Sequence, residues 1–222
     1  MTMKAKLVFI MLLLAVLSCR EEVDVVADNG ETTVYKVAVV VPAALQSEWG
    51  LIAGWASENI ESAQRGLSSK VALEIDWVDE DSPDLPERVR AIAENKEYAA
   101  IVGPRNSSSA GIVAVECVRT SKPLIVPAAT SAEYQRIFAG KNVVWNLAQS
   151  DITECEILLT QAKLTGASRI SLIASDDVYG KSFTDWFAFL ATELGLAVES
   201  IVTYVDEDGL RQAVAMQVND RR

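Results

Sequence analysis

The feature that most constrains the fold is a short apolar run that ends in a Gly-Pro turn and leads into a helical pattern. The run is Tyr98–Val102, the turn begins at Gly103, and three serines from Ser107 open a pattern that continues to Val118. A buried strand, a loop and a helix form the repeating unit of proteins with a parallel sheet. Ser107 is expected to be the N-cap, because its oxygen accepts from the free N–H groups of the first turn. These groups suit a small anion such as a carboxylate, and they equally suit capping alone.

A second loop of the same kind follows this helix. Leu124–Val126 is a buried strand, and the small residues after it include Ala128 and a hydroxyl at Thr130. In a parallel sheet, the carboxyl ends of neighbouring strands lie on one edge, where ligands bind. The sequence therefore predicts that Ser107 and Thr130 face one crevice.

Strands and helices alternate along the first part of the chain. Tyr35–Val41 is a continuous apolar run typical of a central parallel strand. A helix to about residue 65, a strand over 71–78 and a helix over 86–95 follow, ahead of the two loops described above. This order predicts an α/β fold with a doubly wound parallel sheet. The acidic turn Asp79–Asp84 lacks the spacing of a calcium loop and is predicted to be solvated surface.

The alternation continues after residue 142. Asp151 and Glu154 are spaced as a capping box at the start of a helix that ends near residue 166. A strand over Arg169–Ser175 and a loop over Asp176–Gly180 lead into a helix, and then a strand and another helix follow from residue 197. The apolar residues of the helix after Gly180 recur at helical spacing and are predicted to be core: Phe183, Trp186, Phe187, Leu190 and Leu194.

Composition excludes several classes of function. The chain of 222 residues carries a net charge of −11, which argues against nucleic-acid binding. It contains no histidine, which removes His-based catalytic triads and the usual zinc–histidine sites. With no nucleophile elbow and no G-x-G-x-x-G turn, the sequence predicts neither an enzyme nor a cofactor or metal site.

The first residues have the form of an export signal. Lys4 and Lys6 precede an apolar run from Leu7 to Leu17, which is too short to span a bilayer. The pair Ser18-Cys19 at its end resembles a lipobox, although Leu17 is bulkier than the usual residue there; an ordinary secretory signal with a chance cysteine is the alternative. The resemblance implies a signal peptide over 1–18, lipid on the Cys19 thiol and an acidic tether over 19–34.

The segments around Ser107 and Thr130 resemble a known family. Ile-Val-Gly-Pro-Arg-Asn-Ser-Ser-Ser at 101–109 and Leu-Ile-Val-Pro-Ala-Ala-Thr at 124–130 are similar to segments of the type I periplasmic-binding proteins, in particular the branched-chain amino-acid-binding branch. The resemblance runs from about Val37 to the end of the chain. It implies a nearly complete first lobe over 35–142 and a partial second lobe over 143–222, with the chain truncated at its C-terminus and an apolar sheet edge exposed.

This resemblance also implies a function and a site. The chain is expected to be an extracytoplasmic, lipid-anchored solute-binding protein of the cell envelope, periplasmic or surface-exposed, that binds an amino acid or a similar small carboxylated solute between its lobes. Its partners would be that solute, an ABC permease and, through the lipid, the membrane. Ser107, Ala128 and Thr130 would hold the carboxylate. Trp49 and Tyr179 would supply apolar walls, unless Trp49 packs on the sheet edge instead.

Two aspartates, two cysteines and a second function complete the predictions. Asp176 or Asp177 is a candidate to meet a ligand ammonium; the alternative is that at least one of them caps the helix that follows or faces solvent. Cys117 and Cys155 are expected to be buried on helices of different lobes, too far apart to form a disulfide. The alternative function is a lipid-anchored regulatory or sensor protein on the same fold, which acts through protein contacts and does not need the hydroxyl pair.

Overall fold

The computed structural model describes residues 32–65, 67 and 70–219. Within those residues the strands, in chain order, are β1 (Thr32–Val41), β2 (Lys70–Asp79), β3 (Tyr98–Val102), β4 (Leu124–Val126), β5 (Val144–Asn146), β6 (Arg169–Ser175) and β7 (Ala197–Tyr204). The helices are α1 (Gln46–Ala63), α2 (Leu85–Glu94), α3 (Ser107–Thr120), α4 (Ala132–Phe138), α5 (Asp151–Leu164), α6 (Val178–Glu193) and α7 (Glu207–Asn219). The predicted signal peptide, Cys19 and most of the predicted tether lie outside the described residues.

Five parallel strands form the first sheet, in the order β2-β1-β3-β4-β5. This is the order of a doubly wound sheet and confirms the predicted fold class. β5, which the sequence places at the passage between lobes, pairs with β4 as the last strand of this sheet. We refer to the sheet and its helices, residues 32–147, as the first unit.

The two faces of the first sheet are covered differently. Ala38 and Val40 on β1 are fully buried in a core built with α2 and α3. Val37 and Val39 point to the other face, because side chains alternate along a strand, and there they line a cavity under α1. No residue of α1 is buried. The core of the first unit therefore lies mainly between the sheet and the helix pair α2 and α3.

A second, smaller unit follows from residue 151. β6 and β7 pair in parallel, α6 and α7 pack against them, and α5 packs against α6. Its core confirms the predicted aromatic face of α6: Phe183 and Phe187 are buried, with Trp186, Leu190 and Leu194 packed against them. α6 also packs against α3 and α4, so the two units are in direct contact.

Three helix starts differ from the sequence prediction. Asn106, not Ser107, is the N-cap of α3, and its side chain accepts from Ser109 N at 2.8 Å. The prediction of a capping box on α5 is wrong. Ser150 is the N-cap, and Asp151 accepts from Ala132 N at 3.1 Å. The short helix α4 was not predicted at all. In place of the predicted caps, Ser107 and Asp151 accept from backbone N–H groups that are distant in the chain.

The cysteines are placed as expected. Cys117 on α3 and Cys155 on α5 are both buried and free. Burial raises the pKa of each thiol to about 12, so neither is a thiolate at neutral pH. Both act as small apolar residues of their cores.

As for membranes, the helices among the described residues are all too short or too polar to cross a bilayer.

Candidate functional site

A cavity of about 300 Å³ lies at the carboxyl ends of β3 and β4, where the second unit faces the first. Its walls bring together four of the five residues predicted for the ligand site: Ser107, Ala128, Thr130 and Tyr179. The other lining residues are Arg105, Asn106 and Asp177. Trp49 is not among them. It lines a separate, apolar cavity of about 180 Å³ between α1 and the first sheet, in agreement with the alternative that it packs on the sheet.

The first wall is the loop from Gly103 to Asn106. Gly103 has a φ of 97°, and a Cβ there would lie 2.1 Å from the carbonyl oxygen of Val40, so only glycine fits. The Glu80 carboxylate fixes the rest of the loop, because it accepts from Arg105 N at 2.9 Å and from Asn106 N at 2.7 Å. Loop geometry therefore depends on a side chain at the end of β2.

Glu80 is a correction to the sequence prediction. The acidic turn at 79–84 was predicted to be solvated surface, yet Glu80 is only 3% exposed. Burial raises the pKa of Glu80 above its ordinary value, and the two backbone hydrogen bonds oppose that shift. Nothing in the sequence around residue 80 indicates a loop partner that is 25 residues away.

The second wall is the loop from Ala128 to Ser131. Ser107 Oγ accepts from Ser131 N at 3.2 Å, and this bond joins the two loops. Asp151 N donates to the Thr130 carbonyl at 2.8 Å, and the Gln135 amide donates to the Ala129 carbonyl at 3.1 Å. Because Ser107 Oγ already accepts from the backbone, its own proton is available to an acceptor in the cavity.

The third wall comes from the second unit. A Cβ on Gly180 would lie 1.8 Å from the carbonyl oxygen of Ser175, so glycine lets α6 start close against β6. Asp177 caps that helix, and its Oδ1 accepts from Gly180 N at 2.7 Å and from Ser175 Oγ at 2.9 Å. Asp176 pairs with Lys181 at 3.0 Å. The alternative that one of these aspartates caps the helix is therefore confirmed for Asp177.

Tyr179 contributes an aromatic face and a hydroxyl. Its ring lies 5.8 Å from that of Phe183, and its hydroxyl donates to Glu154 Oε2 at 3.4 Å. Burial, assisted by the Glu154 charge, raises the pKa of Tyr179 to about 12. The phenol is therefore neutral at physiological pH. Together the three walls offer hydroxyl donors, one guanidinium, one carboxylate and an aromatic ring, which suits a small polar ligand.

The described residues contain no group of three or more His, Cys, Asp or Glu side chains arranged to hold a metal ion. The cavity walls themselves carry one acidic residue, Asp177. The side chains of the walls offer hydrogen bonds and charge pairing.

Comparison with solved structures identifies the fold. The chain is similar to an ABC transporter substrate-binding protein from Desulfitobacterium hafniense in complex with Leu, with a TM-score of 0.63, 23% identity, and 86% of this chain and 56% of that chain covered. It is also similar to the leucine-binding protein LivK from Thermotoga maritima, with a TM-score of 0.64, 22% identity, and 83% and 54% of the two chains covered. The chain has the type I periplasmic-binding fold.

A third solved structure agrees with the other two. It is the branched-chain amino acid transporter substrate-binding protein LivJ from Streptococcus pneumoniae in complex with isoleucine, with a TM-score of 0.65, 18% identity, and 79% and 51% of the two chains covered. The chain thus spans about half the length of the type I periplasmic-binding structures that it matches. No protein-family profile matches the sequence, and no curated protein matches it.

Proposed function

We propose that the protein is an extracytoplasmic solute-binding protein, and that the cavity between its two units binds an amino acid or a similar small carboxylated solute for ABC-type import. The observation that carries this proposal is the convergence of Ser107, Ala128, Thr130 and Tyr179 on one cavity. These residues come from three separate strand-to-helix connections of the chain. The type I periplasmic-binding structures that it resembles include proteins described as complexes with Leu and with isoleucine.

The chemistry of the walls supports a carboxylate in particular. Ser107 and Thr130 present hydroxyls beside the first turn of α3, where N–H donors and the helix dipole favour negative charge. A hydrogen bond to a charged group contributes about 1.5–3 kcal/mol. A few such bonds and the aromatic wall of Tyr179 suffice for an affinity near micromolar, which corresponds to about −8 kcal/mol.

Substitution of the two hydroxyls tests the proposal. In calorimetric titration of the full chain with a panel of amino acids, Ser107→Ala and Thr130→Val should each weaken binding by roughly 1–3 kcal/mol, because each removes a hydrogen bond to the same anion. The double variant should lose less than the sum of the two single losses, since both hydroxyls serve one carboxylate.

Matched controls are Ser108→Ala and Thr160→Val, whose side chains do not line the cavity. Both should bind as the parent chain does. Unchanged affinity in Ser107→Ala and Thr130→Val would remove these residues from the site. No heat with any amino acid would contradict solute binding and favour the alternative, a regulatory or sensor protein that acts through protein contacts.

Membrane attachment forms a separate part of the proposal and rests on the sequence alone. The apolar run that ends at Ser18-Cys19 supports lipid attachment at the Cys19 thiol, which would hold the protein at a membrane of the cell envelope. Cys19→Ala should yield a protein without the lipid-modified N-terminus, as measured by mass spectrometry of the membrane fraction. The same lipid modification in that variant would show that the lipobox reading is wrong.

A further inference from the structure

A row of apolar side chains crosses all five strands of the first sheet on one face. In register from β2 to β5, its members are Trp77, Val39, Val102, Ile125 and Trp145. On each strand, a neighbour of the row residue along the chain points to the opposite face and belongs to the core built with α2 and α3. The row therefore lies on the face that α2 and α3 do not cover.

α1 covers only part of this face. Trp77, Val39 and Val102 line the cavity between α1 and the sheet, whereas Ile125 and Trp145 lie beyond it. In the described part of the chain, the helix that packs closely against β4 and β5 is α3, on the core side. Trp145 is accordingly 48% exposed. A parallel sheet is normally covered on both faces, so the face over β4 and β5, here called the open half, lacks a helix.

α1 carries an apolar stripe that is turned away from the sheet. Leu51 and Trp55 are one helical turn apart and are 66% and 63% exposed, and Ile52 beside them is 54% exposed. On the opposite side of the helix, Trp49 and Ala53 face the cavity. A helix buries an apolar stripe of this kind against another element. Among the described residues, this stripe has no such element over it.

We propose that two copies of the chain associate about a two-fold axis, with the apolar stripe of α1 in each copy packed on the open half of the other copy's sheet. Both surfaces lie on the same face of the first unit. Two copies that face one another therefore bring each stripe onto the other's strands. The contact is self-complementary, as a two-fold interface requires, and it closes at two copies.

The amount of apolar surface suits a specific dimer. The large side chains that would be covered in each copy are Leu51, Ile52, Trp55, Ile125 and Trp145. An aromatic side chain alone can bury about 150–250 Å². Counted on both copies, the exposed parts of these side chains amount to on the order of 1,000 Å², which is the area that a specific protein interface needs.

The proposal does not depend on the proposed function. The stripe and the open half share no residue with the lining of the cavity between the two units. Dimer formation and solute binding are therefore tested separately, and failure of one leaves the other in place.

Sedimentation velocity of the full chain over a range of concentrations tests for the dimer. The parent chain should pass from a species of 24.1 kDa to one of twice that mass. Because each copy carries a net charge of −11, added salt should strengthen an apolar association by screening the repulsion. A monomer at every concentration would overturn the proposal. So would association that salt weakens, since that would indicate an interface made by charge pairs.

Two exposed tryptophans locate the contact. Trp55→Gln and Trp145→Gln should each raise the dissociation constant of the dimer at least about tenfold, because each removes a large apolar side chain twice from the interface. Phe189→Gln is the control, since it removes an exposed aromatic side chain from α6 in the second unit. All three side chains are about half exposed or more, so the urea midpoints of the monomers at low concentration should match that of the parent chain.

The control also separates a specific contact from general stickiness. A dissociation constant that neither tryptophan substitution changes would place the contact elsewhere and overturn the proposal. An equal rise in Phe189→Gln would indicate non-specific apolar association, with the same consequence. Species that grow beyond the dimer, and are lost in Trp55→Gln, would show an open-ended contact in place of the two-fold one.

Cross-linking tests which surfaces meet. Leu51→Cys places a thiol on the stripe and Leu147→Cys places one just after β5, and both leucines are exposed. In a Cys19→Ala background, a short bis-maleimide should join a mixture of the two variants and should not join either variant alone. Cys117 and Cys155 do not compete, because both are buried. Efficient cross-linking of Leu51→Cys alone would show that α1 meets α1, and would overturn the proposed arrangement.

Discussion

At the scale of single residues, Asp151 at the start of α5 joins the second unit to the residues that follow β4 in the first. Its N–H donates to the Thr130 carbonyl at 2.8 Å, and its Oδ1 accepts from Ala132 N at 3.1 Å. The side chain is fully buried, and among the described residues its Oδ2 has no hydrogen-bond partner. Burial raises the pKa of Asp151 above its ordinary value, because a charge without water costs free energy.

This raised pKa predicts a pH dependence of stability. Since the folded state binds the Asp151 proton more tightly than the unfolded state, the contribution is most favourable below about pH 4 and is lost as the pH rises through the folded pKa. Asp151→Asn cannot titrate but keeps an acceptor for Ala132 N. In urea unfolding over pH 4–8, the stability of the parent chain relative to this variant should fall as the pH rises. Parallel pH profiles would contradict the assignment.

At the scale of elements, the first turn of α3 contributes both to the stability of the folded chain and to the candidate ligand site. Asn106 Oδ1 accepts from Ser109 N at 2.8 Å, while Ser107 turns its hydroxyl to the neighbouring loop. Asn106→Ala should therefore lower the free energy of unfolding by about 1 kcal/mol through loss of the cap. Ser108→Ala in the same turn, measured by urea denaturation, is the control and should change it little. Equal free energies of unfolding for the two variants would contradict the assignment of Asn106 as the N-cap.

The strands were predictable because their signal is local. Continuous apolar runs bounded by Gly, Pro and polar residues gave β3 and β6 their observed bounds. The helix starts at 106 and 151 were not predictable to the residue, because Ser107 and Asp151 accept from backbone groups that are distant in the chain. α4 was missed because its seven residues are too few for a helical period to show.

The site was predictable in part for the same reason. Ser107, Ala128, Thr130 and Tyr179 follow strand ends, and parallel topology brings strand ends together. Trp49 also follows a strand, but it lies on α1 and lines the separate cavity between that helix and the first sheet. Glu80 could not be found from the sequence, because its role is set by backbone N–H groups of a loop that is distant in the chain.

At the scale of the whole molecule, the cavity exists because two units with separate cores meet there. α6 of the second unit packs against α3 and α4 of the first, and Tyr179 and Asp177 at its start face the loops after β3 and β4. Apolar surface is exposed elsewhere: Trp145 on the edge strand β5 is 48% exposed, in agreement with the expected apolar sheet edge, and Trp55 on α1 is 63% exposed.

The most direct test of solute binding between the units is nuclear magnetic resonance of the isotopically labelled full chain. Its backbone amide resonances would be followed while amino acids are added one at a time. Binding in the cavity predicts that the resonances of Ser107, Ala128, Thr130 and Tyr179 shift together and fit one Kd, while those around Trp49 stay in place. Resonances that do not move for any amino acid, or that move only around Trp49, would contradict the account.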